Sequence, residues 1–350
     1  MSREFFRSAI SDFGVHISFR DEKPKDWNYV YDSLSFHSFM GSDIYITYQK
    51  AYFEECCDDD LSIVLYNKNS EPCGILPVHV GKVEGAPLLS TGGMPIEPIQ
   101  FSNDTSIAEQ KRISKSVLQG LMAYAVSSDH CDFNCRAHLD NLTGTISPWH
   151  ASCADLATSS AVDYLAYIDL TNSLDDIWSN FRKSYKPLVN KAHKIWSSEV
   201  LEHDLICKKD WEDFKTLHFQ AAGNRKTRKK ESWDIQFSQI KEGNAFLTLL
   251  RDNNSILVGG GYFQYTRDQG IYSVGAYDRS KFDKPIGHLV QWLAIQKLKK
   301  LGVKSYIIGH RPYRSDLVKS TDKEMNIGIF KDGFSNKVWP RFTYKFTDII

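Results

Sequence analysis

Residues 245–308 constrain the fold more than any other stretch. Ala245 to Leu250 reads as a strand, Asp252-Asn253-Asn254 as a hairpin turn and Ile256 to Gln264 as the return strand. Gly270 to Tyr277 is a third strand, Gly287 to Leu301 a helix and Lys304 to Ile308 a fourth strand. A hairpin makes its two strands antiparallel. A strand, a helix and a strand make a crossover, so the last two strands lie parallel. This half of the chain must therefore build a mixed sheet with a helix on its face.

The rest of the second half follows the same grammar. Tyr164 to Leu170 is a strand, and Ser173 caps a helix whose first turn carries Asp175 and Asp176. Pro is tolerated in a first turn, so a second helix starts near Pro187 and runs to about Trp196. Asp210 to Ala222 is a further helix. In the first half, Leu61 to Tyr66 and Cys73 to Val80 form a hairpin around the turn 67–72. Thr91 to Pro95 is a Gly/Pro loop. Ser106 to Ser127 is a helix whose Ile113, Val117, Leu118, Leu121 and Ala125 share one face. A strand follows at 131–137. The Ser/Thr/Gly/Ala-rich stretch 143–160 is a candidate boundary region, dividing the chain into domains 1–155 and 156–350.

At 350 residues, two domains of ordinary size are expected. Forty-three basic residues balance 43 acidic ones, which excludes a strongly basic nucleic-acid coat. No apolar run approaches the roughly 18 residues of a membrane span, and charged residues interrupt the first 30 positions, unlike a signal peptide. A cytoplasmic protein is expected. The seven cysteines lack the spacing of a disulfide framework. His130, Cys131, Cys135 and His138 are potential zinc ligands, but their C-x3-C spacing is not that of a zinc knuckle. As a strand, 131–137 puts Cys131, Phe133 and Cys135 on one side, so buried thiols are expected there and no metal.

The stretch from Tyr272 to Arg311 carries most chemical promise. A helix opening Pro285-Ile286-Gly287-His288 offers unpaired backbone N–H groups and a partial positive charge to a phosphate or carbonyl. It is equally an ordinary strand, loop and helix with a Pro-Gly start. Two basic clusters stand outside it. Arg182, Lys183, Lys186, Lys191 and Lys194 fall within 13 residues, and Asn224 to Lys230 carries five more basic side chains. Each is either a phosphate-binding patch or a solvated face.

Four stretches, in order, resemble the FemAB-like branch of the GNAT acyltransferase superfamily over about residues 165–340. They are Asp169-Leu170 with Ser173 to Trp178, the basic helix Lys183 to Lys194, Tyr277-Asp278 with Pro285 to Trp292, and Gly328-Ile329-Phe330-Lys331-Asp332-Gly333-Phe334. The last looks like the family's Phe-Lys-x-x-Phe signature. Lys186 stands where the family often has Arg, and Ser335-Asn336 where a glycine-rich turn is usual. The resemblance implies an α/β fold (α+β mixed sheets) of two tandem GNAT-like domains, and acyl transfer to an amine. Family members extend peptidoglycan precursors from aminoacyl-tRNA. Related ones acylate amino sugars with acyl-CoA. No helical coiled-coil arm interrupts the second half, which favours the compact, CoA-using type.

On this reading, Lys331 is the first candidate for the site, where a cation stabilises charge on the carbonyl or holds a phosphate. Otherwise it is a surface lysine between Phe330 and Phe334. His310, at a strand end, is the acid/base candidate, and Tyr277 a proton donor, with Tyr272 and Asp278 as alternatives. Pro285, Ile286, Gly287 and His288 are assigned to the donor. Lys183, Lys186, Arg225 and Arg228 are assigned to the acceptor or a phosphate. No permanent cofactor is expected: the co-substrate is acyl-CoA, with aminoacyl-tRNA as the runner-up and the only nucleic-acid partner implied. The acceptor is an amino sugar or nucleotide-linked sugar for a cell-envelope glycan. A non-catalytic nucleic-acid-binding or partner module on the same fold is the remaining alternative. Oligomeric state is not legible.

Overall fold

The structure is a computed structural model describing residues 3–53, 57–128, 131–139, 145–223, 228–335 and 337–346. Cys56, His130, Arg225 and Lys226 lie outside the described residues. The chain divides into two compact units. The first takes residues 1–163 and 339–350, the second residues 164–338.

In the second unit the expected mixed sheet is present. Antiparallel pairing joins Ser197–Leu201 to Ala245–Arg251, then Leu257–Tyr265, then Gln269–Tyr277. Gln269–Tyr277 runs parallel to Ser305–His310, which in turn pairs antiparallel with residues 165–169. Helices cover both faces. Gly287–Lys300 and Tyr185–Ile195 pack on one, burying Ile286, Leu289, Val290, Val189 and Phe263. Lys208–Ala221 and Lys230–Lys241 pack on the other, around Trp211, Phe214, Trp233 and Tyr262. Full burial of such side chains contributes roughly 1.5–3 kcal/mol each. Close packing of the helix Gly287–Lys300 depends on the glycine run in the strand beneath it. A Cβ on Gly259 would lie 2.2 Å from Ile286 Cγ2, and one on Gly261 2.8 Å from Val290 Cγ1.

The first unit has two sheets. One orders Ile17–Phe19, Ile63–Tyr66, Pro72–Leu76 and Gln100–Phe101. The other pairs Asp59–Asp60 with His79–Val83, then Ala86–Ser90, then Asp132–His138, then residues 341–345. Arg3–Ser11, Ile107–Ser127 and Pro148–Leu156 pack over a core that includes Phe6, Ile10, Leu118, Leu121 and Phe133.

Several expectations need correction. The run 73–80 is not one strand: pairing to 63–66 ends at Leu76, and His79 begins a strand of the other sheet, after Pro77. The boundary stretch 143–160 carries elements of its own. It holds the helix Pro148–Leu156, opened by a Ser147 cap and Pro148, and the start of a strand at Ser159. The helix at Lys230–Lys241 and the strands Ser197–Leu201 and Lys337–Lys345 add to the expected set. Cys131 and Cys135 are buried in the core as expected, and the Nε2 of His138 is 3.1 Å from Glu97.

Candidate functional site

The parallel pair in the second unit parts early. Gln269, Gly270 and Ile271 pair with Ser305, Tyr306 and Ile307, and pairing then stops. Beyond that point Gln269–Tyr277 stays with its hairpin partner, while Ser305–His310 follows residues 165–169 through a bulge between Ile307 and Gly309. The result is a V-shaped opening at the carboxyl ends of two strands, with the crossover helix starting above it. That helix begins at Gly287 with no side-chain cap and no acidic residue in its first turn. Its start retains unpaired donors and a partial positive charge.

The sequence candidates fall around this opening to different degrees. Tyr277 ends one arm of the V. Its hydroxyl is 2.7 Å from that of Tyr272, and burial pushes its pKa up to about 12. Pro285 and Ile286 are buried, and the Pro285 carbonyl accepts a hydrogen bond from the Trp196 indole at 3.1 Å. They seat the helix, while Gly287 and His288 are half-buried. The His288 ring lies 4.5 Å from Tyr185 and 5.2 Å from Phe330, and this apolar surround lowers its pKa to about 4.

Lys331 sits on the helix Asp322–Asp332, against the other arm. Among the described residues the one hydrogen-bond partner of its ammonium group is the His310 carbonyl at 3.4 Å, and burial lowers its pKa to about 8. Gly309 makes the approach possible. Its φ is +132°, and a Cβ there would lie 2.6 Å from the Lys331 Nζ. His310 is exposed at the strand end. The Phe-Lys signature is pinned to the basic helix: Arg182 N–H donates to the Gly333 carbonyl at 2.8 Å, and the Tyr185 hydroxyl donates to the Phe330 carbonyl at 3.1 Å.

The basic clusters separate. Lys183 is exposed beside Tyr185, and Lys186 donates to the Ser179 carbonyl at 3.1 Å. Arg228 belongs to the opposite face of the sheet. Its guanidinium lies 3.5 Å from the Trp233 ring centroid and donates to Gln236 at 2.9 Å. Arg225 is outside the described residues.

Three groups at the opening were not singled out from sequence. Gln291, on the crossover helix, is completely buried and accepts a 2.6 Å hydrogen bond from Tyr306. A polar side chain amid Leu289, Val290 and Ala294 was a visible signal, because that stripe is otherwise core. The third is Gly309. In the first unit, Arg20, Asp21, Pro24, Lys50, Asp60 and Ser62 line a polar cleft of about 360 Å³. His79 is buried beneath it, its Nε2 3.9 Å from Asp60.

No protein-family model matches the sequence, and no curated protein does. Solved structures match over nearly the whole chain. FemX is 12% identical at a TM-score of 0.62, with 99% of this chain and 96% of that one covered. L-PGS from Bacillus licheniformis is 11% identical at 0.56, covering 93% of each chain. A tandem GNAT protein from the clavulanic acid biosynthesis pathway is 11% identical at 0.53, covering 94% of this chain and 98% of that one. The chain shares the tandem GNAT fold of these structures. No helix among the described residues is long and apolar enough to cross a membrane.

Proposed function

We propose that the protein is an N-acyltransferase that takes its acyl donor in the opening of the second unit. The observation that carries this reading is the early parting of the strands Gln269–Tyr277 and Ser305–His310 beneath an uncapped helix start. An acyl thioester placed there lies along a strand edge whose backbone groups have lost their sheet partner. The anionic end of acyl-CoA then meets the N–H groups of Gly287 and His288. The tandem GNAT protein's likeness supports this donor.

The chemistry needs a neutral amine, a polarised carbonyl and a protonated leaving group. The amine nitrogen bonds to the acyl carbon. Lys331 stabilises the negative charge that develops on oxygen, and His310 takes the proton lost by nitrogen. The carbon–sulfur bond breaks, sulfur keeps the electron pair, and Tyr277 protonates it. The proton on His310 returns to Tyr277 through solvent. Lys183 and Lys186 receive an anionic acceptor, an amino sugar or nucleotide-linked sugar of a cell-envelope glycan. Arg228, held on Trp233, is left out of this role.

A second reading keeps the chemistry and replaces the donor by aminoacyl-tRNA. The likeness to L-PGS, a lysylphosphatidylglycerol synthetase, favours it. Thermal unfolding with CoA, acetyl-CoA and charged tRNA in separate samples tests both. A ligand at one hundred times its Kd stabilises the fold by about 2.7 kcal/mol. A raised midpoint with CoA or acetyl-CoA is the expected result. A rise with tRNA alone moves the donor to aminoacyl-tRNA, and no rise with any ligand leaves a non-catalytic module.

A further inference from the structure

The floor of the opening is a line of polar groups in an otherwise apolar core. Tyr306 lies on one parting strand, Tyr272 and Tyr277 on the other, and Gln291 on the helix between them. Tyr306 and Gln291 are fully buried. The Tyr306 hydroxyl is bonded to Gln291 Oε1 at 2.6 Å, which fixes the orientation of the amide. The amide's other end, Nε2, is buried and has no acceptor within hydrogen-bond distance among the described residues. A buried N–H without a partner costs about 1–3 kcal/mol, so its placement needs a reason. Tyr277 packs on the same helix face one turn earlier, where a Cβ on Gly287 would lie 3.7 Å from its Cζ, and the Gln291 amide and the Tyr272 hydroxyl both favour the ionised Tyr277 oxygen against burial.

Geometry then limits where the proton of Tyr277 can go. The 2.7 Å contact between Tyr272 and Tyr277 accommodates one proton. The Tyr272 hydroxyl lies over Gly275, where a Cβ would come within 1.8 Å of its oxygen. If Tyr272 donates, Tyr277 oxygen accepts on one side and faces the Gln291 N–H on the other. Its own O–H must then point away from both, toward the half-buried edge of the ring near Gly287, where a Cβ would come within 3.7 Å of Tyr277 Cζ.

We infer that Tyr272, Gln291 and Tyr306 are positioning residues that direct the Tyr277 proton into the opening and stabilise the phenolate left when it is given up. The inference rests on the acyl-transfer reading and adds its proton donor's supporting line. When the carbon–sulfur bond breaks, sulfur takes the electron pair and then the Tyr277 proton. The Tyr277 oxygen then accepts from Gln291 Nε2 and keeps the hydrogen bond from Tyr272. Its proton is restored by the one the amine surrenders, so the products are an amide and a free thiol with the enzyme unchanged. The unsatisfied amide of the resting state becomes a satisfied one only as charge appears on Tyr277. This makes it a contact that strengthens along the reaction.

The test puts 3-fluorotyrosine at position 277 of the full chain and follows its 19F signal with pH, without and with CoA. Fluorination lowers the phenol's pKa and brings its titration within reach. The expected result is that Gln291→Leu, Tyr272→Phe and Tyr306→Phe each move the titration to higher pH. Tyr306→Phe is the telling variant, since its lost hydroxyl is hydrogen-bonded to Gln291 and not to Tyr277 among the described residues. A packing role alone would lower the unfolding midpoint and leave the titration in place. Unchanged titration in Gln291→Leu and Tyr306→Phe overturns the relay, whatever CoA does. If the titration moves as expected but CoA leaves the 19F signal unshifted, the donor reading fails, and delivery of the proton to its sulfur fails with it. Should Gln291→Leu not fold, Gln291→Glu keeps the side-chain shape, removes the N–H donors and is expected to raise the titration further.

Discussion

The two units treat the same opening in opposite ways. In the second, parallel strands pair at three positions and part, and nothing from the backbone fills the gap among the described residues. In the first, Ala86–Ser90 and Asp132–His138 pair in parallel at Leu88 and Leu89 and also stop. There the chain turns through Thr91 to Met94 and comes back. Ile96 N–H donates to the Asn134 carbonyl at 2.7 Å, and Arg136 N–H donates to the Ile96 carbonyl at 2.7 Å. The gap is closed by a segment of the unit itself. The helix starts differ in the same sense. Ser106 caps Ile107–Ser127 by accepting from the Glu109 N–H at 3.2 Å, and Glu109 adds a negative charge to the first turn. Gly287–Lys300 has neither. A closed strand edge with a capped helix is a structural element, while an open edge with an uncapped one is a place for a ligand. The proposed donor site therefore lies in the second unit.

The sharpest way to break that comparison is to remove the proposed chemistry and watch the fold. Lys331→Ala is expected to lower turnover by about 10²–10³-fold, the usual loss of a group that stabilises developing charge. The unfolding midpoint should stay in place or rise, because a cation held with one weak partner is relieved. Turnover within twofold of the parent would remove Lys331 from the site. The next largest effect lies in the first unit. Ile96 is fully buried, and Ile96→Ala is expected to cost about 2–5 kcal/mol in denaturant unfolding with CoA affinity unchanged. A weakened CoA response at constant fold would mean that the closed gap takes part in binding after all.

Helix charge sharpens the contrast more gently. Gly287→Asp puts into the second unit the first-turn acid that Glu109 gives the first. Gly287→Asn, equal in size, is its control, since either Cβ meets Phe330 at 3.1 Å. Asp should bind CoA about tenfold more weakly than Asn by calorimetry, from the helix dipole and repulsion of phosphate. Equal affinities would place the anionic end of the donor elsewhere.

These contrasts were unequally legible in the sequence. The mixed sheet of 245–308 was readable because a hairpin turn, a strand period and a 14-residue helix period follow each other without interruption. The helix Pro148–Leu156 was hidden by a run of small polar residues, although Ser147-Pro148 is a cap and first-turn signal. Tyr277, Lys331 and the helix start were legible as types in a pattern. Their arrangement was not. Gln291 and Tyr306 meet across 15 residues of chain, and Lys331 reaches Gly309 from 22 residues away, contacts set by tertiary packing. Arg228 shows the converse. A dense basic run suggested a phosphate contact, but Trp233, five residues on, takes up its guanidinium. The closure of the first unit's gap was equally hidden, because Thr91 to Pro95 reads simply as a Gly/Pro loop.

The smallest expected effect is the pH response, and its sign separates two roles for Lys331. Its pKa in the folded protein is lowered to about 8 by burial, against an ordinary value of 10.5. Between those values the unfolded chain binds the proton that the folded one has released. Stability therefore rises as pH increases from about 8 through 10.5, and Lys331→Met is expected to flatten that rise. Activity moves the other way if the lysine serves as a cation: turnover falls as pH climbs through about 8. Lys331→Arg, charged throughout, should remove the fall while retaining part of the activity. A turnover that instead increases through pH 8 and is lost in the arginine variant would make Lys331 the base that deprotonates the amine. His310 would then lose that role, and the cation facing the carbonyl would have to be found among the N–H groups at the start of Gly287–Lys300.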